Sequence, residues 1–217
     1  FKGSNILIEK PGANNKRPEL NNIGREKSLF CWVRLHWDSA WKEKEWAFKT
    51  NQKGWLLCDD GAGELADFIH LQESNDGKFI SLIHVKSSSS NTVSRKISVG
   101  CHIEVVSQAV KNIRYISSGS KNIIEHLKSR ENFSKKPCWH NNSPIDPTSF
   151  LNEVERFTSE GNVVYRVIVI QPHTVRDTYN SLINDKITKQ LNALLVSAKA
   201  SINALSAEFY VVGSLQH

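Results

Sequence analysis

Between Trp55 and Lys86 three short apolar runs, WLLC, ADFIHL and KFISLIHVK, are separated by the polar breaks GAGE and SNDG. Runs of this length bounded by Gly, Asn and Asp predict strands, and the tight breaks predict a three-stranded meander. Ahead of it, residues 28–49 (SLFCWVRLHWDSAWKEKEWAFK) predict a helix whose positions 37, 41 and 48 share a face while KEKE stays solvated. Its tryptophans Trp32, Trp37, Trp41 and Trp46 read as packing that helix onto the sheet, with a base-stacking platform as the other reading. After the meander, SSSSNTVSRK is a polar loop, and ISVGCHIEVVSQAVKNIRYI places apolar residues at 103, 106, 110 and 113 as an amphipathic helix. SSGSK breaks it, and NIIEHLKSR predicts a shorter helix. Residues 131–148 hold three prolines and read as a loop insertion. SFLNEVERFTSE predicts a helix, VVYRVIVIQP a strand central in the sheet, DKITKQLNALLVSAKASINAL a long helix, and AEFYVVGS a closing strand. The order helix, three strands, helix, strand, helix, strand predicts an α/β class with a mixed β-sheet core flanked by helices.

Two regions follow from this pattern: a polar N-terminal arm over residues 1–28, in which Ile6 to Ile8 form a short strand or a docking arm, and a single α/β domain over 29–217. The 217 residues suffice for one sizeable core, and 39% hydrophobic with 23% charged residues is ordinary for a globular protein. No apolar run approaches the roughly 20 residues of a membrane span and no signal-peptide pattern opens the chain, so a cytoplasmic setting without a membrane partner is expected. The four cysteines, Cys31, Cys58, Cys101 and Cys138, show no CxxC spacing, against a zinc ribbon and without support for a disulfide framework. A net charge of +6 tilts the partner toward nucleic acid. The chain has no methionine and begins at Phe1, in keeping with a domain excised from a larger protein.

Polar residues at the strand ends carry the candidate chemistry. Asp59, Asp60, Glu64 and Asp67 surround the start of the second strand, and His84 and Lys86 close the third. Clustered carboxylates beside a lysine are suited to hold a divalent cation and polarise a phosphodiester. Each has a plainer reading: Asp59 and Asp60 before Gly61 also make an ordinary turn, Glu64 can simply open a strand, and Lys86 can face solvent. Asp67 stands in an apolar ADFI segment, where an unpaired carboxylate is costly, and this favours function. Cys138 and His140 are too isolated for a metal site.

An acid opening the second strand, an x-x-Lys ending the third and a helix following resemble the PD-(D/E)xK nuclease superfamily, the restriction-endonuclease-like fold. Asp67 matches the first acid and Lys86 the lysine; the departure is His84, which stands at the middle position where Asp or Glu is expected. The resemblance implies metal-dependent cleavage of nucleic acid, DNA ahead of RNA, with Mg²⁺ or Mn²⁺ held by Asp67 and a second acid while Lys86 orients or activates the attacking water. Glu64 is the first candidate for that acid, Asp60 the second and Glu104 the third; His84 is a supporting residue, though imidazole can itself ligate transition metals. The segments DDGAGELADF, HVK and EVVSQAVK are also similar to nuclease-like parts of large bacterial helicase-type proteins. That similarity puts Gln108 at the site and a helicase or ATPase domain elsewhere in the protein, in a setting of antiviral defence or DNA processing. Lys111 and Arg114 on the helix, with Arg95 and Lys96 after the serine loop, are the candidate phosphate contacts. Two other readings stand beside this one. HVKSSSSN is near the H-x-K-x4-D motif of phospholipase D-like phosphodiesterases, with Asn91 for the Asp and His84 as a metal-free nucleophile. A catalytically inactive nuclease fold used as a nucleic-acid-binding or docking module is the third.

Overall fold

The computed structural model describes residues 1, 3–12, 19–38, 53–117 and 120–215. Trp41, Trp46 and Phe48 of the expected tryptophan helix lie outside them. What is described of that helix is α1 (Leu29–Trp37), opened by the Ser28 hydroxyl, which accepts the Cys31 N–H at 3.2 Å. Trp32 and Trp37 are buried and pack α1 on the sheet, as expected of them.

The meander is present. β1 (Trp55–Cys58), β2 (Phe68–Ser74) and β3 (Gly77–Val85) pair antiparallel in sequence order, and β6 (Val163–Val175) and β7 (Ala207–Ser214) extend the sheet in parallel from β3. Between them come α2 (Gly100–Asn112), α3 (Arg114–Ser117), α4 (Ser120–Ser129), β4 (Cys138–His140), β5 (Ser143–Pro144), α5 (Pro147–Ser159), α6 (Arg176–Ser181) and α7 (Lys186–Asn203). Among the described residues the sheet has seven strands in the order β5-β4-β1-β2-β3-β6-β7. The class is α/β with a mixed sheet flanked by helices.

Strand alternation sorts the core into two layers. Leu57, Ile69, Leu71, Ile80, Leu82, Val167 and Val169 face α2, α4, α5 and α7, while Leu56, Phe68, Ile83, Val85, Ile168 and Ile170 face α1 and the arm. Because β6 is covered on both faces, it reads as a continuous β-branched run rather than an alternating one. It is interior but not central; β2 holds the middle of the sheet.

Two expectations need correction. The stretch 131–148 is not only loop: Cys138 to His140 pair with Trp55 to Leu57, and Cys138 and Trp139 are buried. A three-residue strand between prolines is too short to show a period, so its local pattern resembled a loop. The α2 stripe is wider than expected and misses at one position: Val106 and Ile113 are buried and Val110 packs on the core, His102, Val105, Ala109 and Asn112 join them, and Ile103 is 52% exposed. His102 earns its place by bonding the Ser98 carbonyl through Nδ1 at 3.0 Å. Of the two readings of residues 6–8 the docking arm is the one found: the Ile6 carbonyl accepts the Ser88 N–H and the Ile8 carbonyl the Leu29 N–H, and no strand forms there.

Candidate metal centre

The loop between β1 and β2 brings the acids together. Gly61 (φ +127°) and Gly63 (φ +78°) take backbone angles that favour glycine, which lets DDGAGE curl within six residues. Inside the curl the Glu64 carboxylate accepts the Gly61 N–H at 2.7 Å, and the Glu64 N–H returns to the Gly61 carbonyl at 3.0 Å. Asp59 holds the loop shut: its carboxylate accepts the Leu65 N–H at 3.0 Å and Arg130 Nε at 2.9 Å, and it is fully buried. Arg130 also donates to the Asp59 and Ala62 carbonyls, Lys136 to those of Asp59 and Asp60, and His126 to that of Gly63. From α2, Asn112 donates to the Glu64 and Leu65 carbonyls at 3.1 and 2.9 Å. The turn reading of Asp59 is therefore the one that fits its contacts.

Asp60, Glu64 and Asp67 each present one carboxylate oxygen within 4.8 Å of the others, a group able to hold a metal ion. Asp67 sits one residue before β2 and, by the Phe68↔Ile83 register, faces His84 across the ladder. Its Oδ2 accepts the Val85 N–H at 2.7 Å. Burial first, then the Glu64 charge, push the Asp67 carboxyl well above the usual carboxylate range. Burial, reinforced by Asp60, also raises Glu64. Like charges so placed are held apart more cheaply by a cation than by water. Hard carboxylate oxygens in this number suit Mg²⁺ or Mn²⁺, which retain waters and take few protein ligands.

One cation is already there. Lys10, from the arm, places Nζ 2.6 Å from Asp60 Oδ1, and Asp60 is 6% exposed. Burial works against the Lys10 charge, but Asp60, with Asp67 and Glu9 behind it, outweighs this and holds the ammonium above the usual lysine range. Sequence reading missed Lys10, which lies 50 residues from Asp60 in a polar arm with no local signal.

Lys86 follows β3 on the same side as His84. Its ammonium donates to Glu104 of α2 at 2.8 Å and lies 3.9 Å from Glu9. Glu104 thus serves as the partner of Lys86 and not as a member of the acid group. His84 is fully buried, and among the described residues neither ring nitrogen has a hydrogen-bond partner; burial lowers it to about 4. A ring so enclosed has no approach for a phosphodiester.

Beside the acids opens a cleft of about 430 Å³, with Lys10, Asp60 and Glu64 on one wall and Gln108, Lys111, Arg114 and Tyr115 on the other. The structure therefore brings Gln108, Lys111 and Arg114 to the acids. Lys96 is exposed beyond that lining. Arg95 is committed inward: 7% exposed, it donates to the carbonyls of His173, Thr92 and Pro172 and to the Ser214 hydroxyl. Such an arginine ties a loop to strand ends and spends four of its five N–H donors doing so. Arg95→Ala is expected to cost about 2 kcal/mol through orphaned carbonyls, read as a lower urea midpoint.

The fold and site define an α/β protein with a carboxylate cluster at a basic-rimmed cleft. No known protein family, curated protein or solved structure matches the chain. Among the described residues no helix is long and apolar enough to cross a membrane.

Proposed function

We propose that this chain is a metal-dependent nuclease domain of the restriction-endonuclease-like fold, cleaving phosphodiesters of nucleic acid, DNA ahead of RNA. The observation that carries the reading is the convergence of Asp60, Glu64 and Asp67 within 4.8 Å at a cleft whose far wall offers Lys111 and Arg114. The meander, the acid before β2 and the lysine after β3 add support from the element order. In this reading Asp67 and Glu64, with Asp60, hold Mg²⁺ or Mn²⁺. A divalent ion bound there supplies Lewis acidity toward a phosphate oxygen and makes a bound water more acidic.

The rest is done by side chains. Lys86, fixed by Glu104, orients the attacking water, and Gln108 contacts the substrate at the cleft. Lys111 and Arg114 hold flanking phosphates, which sets the register of the strand without reading its sequence. His84 backs Asp67 as a neutral, space-filling neighbour; its enclosure supports the nuclease reading over the phospholipase D-like one. A helicase or ATPase domain of the same larger protein remains the partner implied by the similarity of segments.

Incubation of supercoiled plasmid with the purified chain and Mn²⁺ is expected to give nicked and linear product. EDTA should stop the reaction, and Lys86→Ala should slow it about 10²-fold or more. Nucleic-acid binding that survives both treatments without any cleavage would instead mark an inactive nuclease fold that serves as a binding module.

A further inference from the structure

Lys10 stands beside the acid group, against one of its three members, Asp60. Its position is built by the arm and not by chance extension of a surface lysine. The Glu9 carbonyl accepts the Phe30 N–H at 3.0 Å and the Ile8 carbonyl the Leu29 N–H at 2.9 Å, so the arm is seated on the first turn of α1. The Ile6 carbonyl accepts the Ser88 N–H at 2.8 Å, and the Glu9 carboxylate accepts the Ser87 N–H at 3.3 Å. These bonds anchor the arm to both the helix and the segment after β3. Lys10 then has little freedom except along its own stem, and its ammonium ends 2.6 Å from Asp60 Oδ1 and 3.4 Å from Glu9.

Asp60 Oδ1 is buried and accepts no well-directed hydrogen bond, so the ammonium is held by charge. The same carboxylate belongs to the group that can hold a metal ion. A divalent ion that used Asp60 would share that carboxylate with an ammonium 2.6 Å from its Oδ1, and like charges on one carboxylate repel. We infer that Lys10 is a tethered competitor for Asp60, so that the arm's ammonium and a divalent ion oppose one another at that carboxylate and the arm sets the metal affinity. This rests on the reading of Asp60, Glu64 and Asp67 as a metal seat. It goes further in giving the arm a regulatory part: whatever lifts the arm from α1 admits the ion, and the freed Lys10 still borders the cleft.

The test uses Mn²⁺ alone, without nucleic acid, on the full chain. Loss of the free Mn²⁺ resonance signal on titration gives the affinity for wild type, Lys10→Met and Lys10→Arg. Lys10→Met keeps the stem and removes the charge; it is expected to bind about ten-fold more tightly than wild type, while Lys10→Arg gains nothing. Equal or weaker binding by a folded Lys10→Met beside a wild type that binds would overturn the inference and leave the metal seat standing. Absence of binding in all three proteins overturns both. A second readout needs no variant: reductive methylation followed by peptide mass spectrometry should find Lys10 protected in metal-free protein. With saturating Mn²⁺ it should label as fast as Lys121, whose side chain is 84% exposed. Protection that persists under Mn²⁺ refutes the exclusion.

Discussion

Asp67→Asn is expected to abolish divalent binding and cleavage while making the metal-free protein more stable. The two effects have one cause. Asp67 is 3% exposed and carries the most strongly raised carboxyl in the acid group, because burial and the neighbouring Glu64 charge both disfavour its ionised form. Asparagine keeps an oxygen for the Val85 N–H, which now donates to Oδ2 at 2.7 Å, and removes the charge. At pH 8 the metal-free variant should therefore gain on the order of 1 kcal/mol, the usual size of a relieved local conflict. Cleavage should drop by about 10³-fold or more, as for loss of a group that holds a catalytic ion. Guanidinium unfolding gives the first quantity and Mn²⁺ titration with plasmid cleavage the second. A variant that loses stability and activity together would make Asp67 a structural residue only.

Acid should destabilise the protein through two enclosed histidines. Burial lowers His84 from 6.5 to about 4, and burial with Arg166 lowers His70 to about 3. Between 6.5 and those values the unfolded chain takes up a proton at each ring that the folded chain refuses, so stability falls as pH falls. At about 1.4 kcal/mol per pH unit for each ring, the loss between pH 6.5 and 4 is on the order of 5 kcal/mol, against a total of about 5–15 for a folded domain. Asp67 and Glu64 act with the opposite sign. Their raised carboxyls take up protons in the folded state first, which adds stability as pH falls. Denaturant midpoints measured from pH 7 to 4 on three proteins separate the contributions. His84→Leu, which fills the same apolar space, should remove about 3 kcal/mol of the acid-induced loss, and Asp67→Asn should steepen it. An identical pH profile for His84→Leu and wild type would show that the ring is not held neutral.

The meander was legible because its signals are local. SNDG forces a tight return between β2 and β3, and WLLC and FIHL are apolar on both faces because both faces are covered. The β6 run was legible for the same reason. The α2 stripe was misread at its first turn, where His102, polar by type, is buried through its bond to a backbone carbonyl and Ile103 faces out. β4 was invisible: Cys138 and Trp139 owe their strand to Leu57 and Leu56, some 80 residues earlier. At the site, Asp67 and Glu64 announced themselves as acids in and beside an apolar segment. Lys10 and the Arg130 and Lys136 grip on Asp59 did not, since each joins positions 50 to 77 residues apart and leaves no periodic trace.

That grip bears on how the protein is made. All of the proposed acids and both lysines lie before residue 90, yet the loop that gathers them is held by Arg130 and Lys136, immediately ahead of β4. A nascent chain that has emerged only through α4 carries every reactive group and lacks the clamp, and β1 still has an open edge. During synthesis the loop would thus be clamped only once Arg130 and Lys136 have emerged, and a truncated product ending before residue 130 would be prone to pair through the open β1 edge.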